Sequence, residues 1–137
     1  MRRTVVMLSL LMALGSAGCA GAGPSPVADA AGTLAAVPAG YAGRTDPLGA
    51  QGAAAGAQTF QANCVACHGL QGHGDGPAGA ALQPPPRNLA ALEKRAADDY
   101  LFWRISTGRP GTAMPAWQGV LSEEQIWQLV SFIRTLQ

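Results

Sequence analysis

Apolar positions are spaced unevenly along this chain, and the spacing predicts helices toward its C-terminal end. The clearest element is the last. Ile126, Leu129, Val130, Ile133 and Leu136 fall on one helical stripe behind Ser122-Glu123-Glu124-Gln125, which has capping-box form. Upstream, Asp98 and Asp99 place acidic residues at the start of a helix over Tyr100–Thr107, and Gly108 stops it. A third helix is expected over Ala53–Ala66, with Gly56 in its interior. Between these lie two loops: 69–88, with five glycines and four prolines, and 108–120. No segment alternates apolar and polar residues as a half-buried strand does. The expected fold class is all-α, a small domain of about 3–5 helices.

The N-terminal part reads differently. Arg2 and Arg3 precede an uncharged apolar run, Thr4–Leu14, which ends in Gly15-Ser16-Ala17-Gly18-Cys19. Such a run is shorter than the ~20 residues a spanning helix needs, so residues 1–18 are expected to be an export signal. The ending resembles a bacterial lipoprotein signal, whose cleavage leaves a lipidated Cys19, although Ser16 stands where such signals usually carry Leu. Cleavage after Ala20 or Ala22, giving a soluble protein, and an uncleaved anchor are the alternatives. Residues 19–52 are expected to be a tether or linker. From Ala20 to Gly52, 24 of 33 residues are Ala, Gly, Pro, Ser or Thr, too few large side chains to offset ordering entropy. As a flexible coil this stretch would span about 30 Å. The island Tyr41–Leu48 has enough character to pack on the domain, which places the boundary between 41 and 53.

Composition then sets a problem. The expected domain, 53–137, has only 85 residues, although it holds seven of the eight aromatics. A core of that size commonly needs reinforcement. Three cysteines cannot all pair within one chain, so a fold stapled purely by disulfides is a poor fit. With 9 basic and 8 acidic residues, the formal charge of +1 argues against a nucleic-acid surface.

Cys64-Val65-Ala66-Cys67-His68 supplies the missing piece. This is the C-x-x-C-H pattern of covalent c-type haem attachment. Two thiols three residues apart on one helical turn reach the two vinyl groups of a protoporphyrin, and the next imidazole points at the iron. A zinc site would need a second ligand pair, for which only His73 and Cys19 remain. A thioredoxin-like pair would need a βαβ setting. The buried macrocycle of one haem c completes the small core, and export to an oxidising compartment suits cysteines that the cofactor consumes.

The sixth iron ligand follows by elimination. Met1, Met7 and Met12 belong to the signal, which leaves Met114. His73 lies five residues past His68, at most ~18 Å of extended chain, too little to round the haem edge. Met114 sits 46 residues on, in the loop Gly108-Arg-Pro-Gly-Thr-Ala-Met-Pro-Ala-Trp117. Met/His ligation raises the haem potential. Gly74-Asp75-Gly76-Pro77-Ala78-Gly79 satisfies the dinucleotide fingerprint, but no strand precedes it and Pro77 removes an amide that would cradle phosphate.

With these residues in place, 53–137 resembles a class I c-type cytochrome of the bacterial monohaem kind. The similarity is carried by Cys64–Gly69, Gly72–Pro77, Leu82–Leu89, Thr112–Trp117 and the closing helix. It implies that Gly56 and Phe60 on the first helix meet Phe132 on the last in a close crossing. It also implies that a backbone carbonyl in Pro84–Pro86 accepts the proton on the far nitrogen of His68. Arg87, Arg104, Trp103 and Trp117 are candidates to meet the haem propionates, and His73 is expected to be solvated.

The function expected is one-electron transfer by a periplasm-facing, membrane-tethered carrier rather than catalysis. Its partners would be a quinol-oxidising complex, a dehydrogenase or a terminal oxidase, met as a shuttle or as a permanent subunit. The alternative is a haem enzyme or gas sensor in which Met114 is labile, although neither a distal His or Arg nor an output domain is evident.

Overall fold

The computed structural model describes residues 33–137; the expected signal 1–18 and Cys19 lie outside the described residues. Five α-helices occur in the order α1 (Ala53–Asn63), α2 (Val65–His68), α3 (Leu89–Leu92), α4 (Asp98–Thr107) and α5 (Glu123–Ile133). Among the described residues there is no strand, only an isolated bridge from Gln118 to Leu121. No helix there is long and apolar enough to cross a membrane.

Helices α1 and α5 make the most extensive contact in the molecule. The sequence permits it at Gly56, where a Cβ would stand 1.9 Å from the Gln128 carbonyl oxygen. No side chain fits there, so the backbones approach closely. One turn on, Phe60 meets Phe132 with ring centroids 5.0 Å apart, as the resemblance implied. Helix α5 starts as its sequence predicts: Ser122 Oγ accepts from the Gln125 amide, and Gln125 Oε1 accepts from the Ser122 amide. Its buried stripe includes Ile126, Leu129, Val130 and Ile133.

Boundaries differ in four places. The expected helix 53–66 is interrupted at Cys64, whose φ of −117° departs from helical values and separates α1 from α2. Helix α4 begins at Asp98, so the two aspartates lie inside its first turn. Helix α5 ends at Ile133 rather than Leu136. There the Arg134 guanidinium turns back to the carbonyls of Glu93 and Ala96 and to the Asp98 carboxylate. Helix α3, capped by Asn88 Oδ1 accepting from the Ala91 amide, arises in a segment for which no helix was expected.

The linker expectation needs correction from residue 34 onward. Leu34, Val37, Tyr41 and Leu48 pack against the core, which moves the packed body beyond the expected limit at 41. Polar contacts fix this strap. Gly43 N donates to Asp99, Asp46 N donates to Asp98, and Asp46 Oδ2 accepts from Ser131 Oγ at 2.6 Å. Composition underestimates the segment because its few apolar residues all find partners and its aspartate caps a buried hydroxyl.

Candidate haem-binding site

Helix α2, with Cys64 at its N-cap, carries the attachment motif, and a glycine-rich loop is wrapped around it. Gly74 N, Gly76 N and Ala78 N donate to the carbonyls of His68, Cys67 and Ala66. The carbonyls at the end of so short a helix would otherwise lack partners. The wrap is tight. A Cβ on Gly76 would lie 2.5 Å from both the Ala66 and Val65 oxygens. The glycines that imitate a dinucleotide fingerprint are therefore spent on approaching the helix backbone.

Behind α2 opens a cleft with about 1100 Å³ of atom-free space, counted out to its mouth. Cys64, Cys67, His68 and Met114 all line it. No disulfide joins the two cysteines. Burial, with a smaller contribution from Cys67, pushes the Cys64 thiol up to about 11, so it stays protonated at neutral pH. Burial also lowers the pKa of His68, against a smaller opposing effect of its contact with the Arg87 carbonyl. His68 Nδ1 lies 3.3 Å from the Arg87 oxygen. That contact assigns the proton to Nδ1 and leaves Nε2 as a lone-pair donor. The acceptor is one residue beyond the Pro84–Pro86 stretch expected for it, because the carbonyl that reaches α2 belongs to the residue leaving the proline run.

The rest of the lining suits a flat, largely apolar macrocycle bearing carboxylates. Phe60, Leu89, Leu101, Ile105, Leu129 and Ile133 form apolar wall from α1, α3, α4 and α5. Of the four residues considered for the propionates, Arg87, Arg104 and Trp117 line the cleft. Trp103 does not. It stands instead with its ring under the Arg104 guanidinium, 3.9 Å from the centroid, and edge-on to Tyr100. Arg109 lines the cleft although sequence reasoning passed over it; its place five residues before Met114 in the same loop was the available signal. No Asp or Glu is part of the lining among the described residues. Among the described residues no three His, Cys, Asp or Glu side chains gather to hold a bare metal ion. His73 is exposed and lies outside the cleft, with Nε2 3.3 Å from the Gln137 oxygen.

The chain is similar to known proteins over this same region. It is 36% identical over 85 residues to the cbb3-type cytochrome c oxidase subunit FixP of Bradyrhizobium sp. (strain ORS 278), covering 61% of this chain and 27% of that protein. It is 41% identical over 71 residues to cytochrome c55X of Stutzerimonas stutzeri, covering 50% and 53%. The chain thus spans about a quarter of the first relative and half of the second. Its fold is shared with a chain of the Kuenenia stuttgartiensis reducing HAO-like protein complex, with a TM-score of 0.58 at 23% identity over 69% of this chain and 48% of that one. The family model of cytochrome c oxidase, cbb3-type, subunit III matches residues 51–133. The chain thus belongs to the family of cytochrome c oxidase, cbb3-type, subunit III, a class I c-type cytochrome domain whose cysteine pair is that of covalent haem c.

Proposed function

We propose that this protein is a closed-site, one-electron carrier whose haem iron is held between His68 and Met114. The observation that carries the reading is that one cleft is lined by Cys64, Cys67, His68 and Met114 together. Haem c supplies a one-electron couple, and Met/His ligation biases it toward positive potential. Cys64 and Cys67 provide the thioether attachments. His68 offers Nε2, oriented from behind by the Arg87 carbonyl, and Met114 offers its sulfur from the 108–117 loop. The apolar wall would keep water from a bound haem, which favours outer-sphere transfer over substrate binding.

The sequence before residue 33 supports a location for this chemistry. Arg2-Arg3, the apolar run and Cys19 fit export and a lipid anchor that holds the domain at the periplasmic face of a membrane. Similarity to an oxidase subunit favours a respiratory partner, such as a quinol-oxidising complex, a dehydrogenase or a terminal oxidase. Met114→Ala tests the core of the reading. It leaves the attachment residues intact, so covalent haem is retained. The potential falls, the weak red charge-transfer band of a ferric Met–haem disappears, and carbon monoxide binds the reduced protein rapidly. Wild-type protein that already binds carbon monoxide as fast as the variant would overturn the closed site in favour of a haem enzyme or gas sensor.

A further inference from the structure

Met114 sits in a loop whose polar groups close on one another. Its amide N–H donates to Thr112 Oγ1 at 3.2 Å, and its carbonyl accepts from Arg109 N at 3.2 Å. The Thr112 hydroxyl donates onward to Arg109 O at 2.8 Å, and the same oxygen accepts the Thr112 amide at 3.1 Å. Both backbone polar groups of Met114 are therefore returned to Arg109, one directly and one through the Thr112 hydroxyl. Downstream, Trp117 N donates to Ile105 O and Gln118 N to Ser106 O, each at 3.1 Å, so the loop is fastened to α4. Upstream, α4 ends at Gly108, where a Cβ would stand 2.6 Å from Met114 O. The ring is thus anchored on both sides, and Thr112 supplies its side-chain hydroxyl link.

From this ring we infer that Thr112 is a positioning residue for the sixth ligand. Its hydroxyl holds the Met114 backbone and so sets how often the thioether leaves the iron. The inference rests on the His68/Met114 ligation proposed above. A β-branched side chain has restricted χ1 freedom, so the hydroxyl is presented to donor and acceptor together at little entropic cost. Loss of a hydrogen bond of this kind enlarges the minor, open population by a factor set by its net worth. Carbon monoxide, which reads that population, should report the change directly.

The experiment compares holoprotein of the wild type, Thr112→Val and Thr112→Ser. Valine keeps the shape and removes the hydroxyl; serine keeps the hydroxyl. The readouts are the ferric red band, the rate of carbon monoxide binding to the reduced protein, and the urea midpoint. Thr112→Val is expected to weaken the band and to bind carbon monoxide roughly five- to tenfold faster. Thr112→Ser, which keeps the hydroxyl but not the β-branch, brings both readouts most of the way back to wild-type values. If Thr112→Val does not accumulate as holoprotein, Thr112→Ala read against Thr112→Ser makes the same comparison. A wild type that shows the band, with a valine or alanine variant matching it in band and rate, overturns the role of Thr112 and leaves the ligation standing. The same holds if the variants differ only in urea midpoint. A wild type without the band overturns the ligation itself, and this inference with it.

Discussion

Asp98 shows how one side chain ties distant parts of this molecule together. Its Oδ2 accepts from the Asp46 amide at 3.0 Å, and its Oδ1 accepts from Arg134 Nη2 at 2.6 Å. Burial alone would raise its pKa, but the hydrogen bonds from Asp46 and Arg134, with the nearby guanidinium charge, outweigh burial and hold the carboxyl below its ordinary value. A carboxyl with a depressed native pKa binds its proton more weakly folded than unfolded. Its contribution is therefore complete above the unfolded value of about 3.9 and is lost as pH falls through the lower native value. Asp98→Asn is expected to lower the urea midpoint at pH 7 and to flatten the decline of stability below pH 4. A variant whose midpoint declines in acid as steeply as the wild type's would show that another carboxyl governs that limb. Aspartates at the start of a helix are readable as such from sequence. That this one also receives the strap and Arg134 is not, because its partners lie 52 and 36 residues away.

Among the elements, the α1–α5 crossing places the wall of the cleft. Phe60 and Ile133 line the cleft from the two helices, so both contribute to one of its walls. The close approach depends on Gly56, where the obstructing atom is backbone rather than a flexible side-chain end. Alanine normally stabilises a helix interior by ~0.5–1 kcal/mol relative to glycine. Here the added Cβ has to push the helices apart, and overpacking of this sort costs about 3 kcal/mol. Gly56→Ala is expected to lower the denaturation midpoint accordingly, and a midpoint at or above the wild-type value would show that the helices separate freely. The two elements themselves were readable from sequence, α5 nearly in full. Helix α3 was not. Four residues, Leu89–Leu92, carry too little periodicity to announce a helix, and it is held by the Asn88 cap and by burial of Leu89, Ala90 and Leu92.

At the scale of the whole molecule, a haem cleft is paired with a strap that docks outside it, since none of residues 34–48 lines the cleft. The strap meets α4 and α5 through Tyr41 against Phe102, through Arg44 above the Phe102 ring at 4.6 Å, and through Asp46. Because it is fastened on its own contacts, anchorage at Cys19 and integrity of the haem domain are expected to be separable. Cys19→Ser should move the protein from the detergent phase to the aqueous phase, with haem spectrum and thermal midpoint unchanged. Wild-type protein already found in the aqueous phase, with its N-terminus at Ala20, Gly21 or Gly23, would count against the anchor. Sequence by itself determined the attachment motif, the all-helical class, the capping box and the candidacy of Met114, which lines the cleft among the described residues. Each of these depends on spacing along the chain or on which residue types are present. The tertiary structure decided that Arg87 rather than a proline supplies the carbonyl behind His68, that Arg109 joins the lining while Trp103 turns away, and that the segment from Leu34 is docked. Those outcomes depend on which surfaces meet across separations as long as the 85 residues between Asp46 and Ser131, and a local pattern holds no information about that.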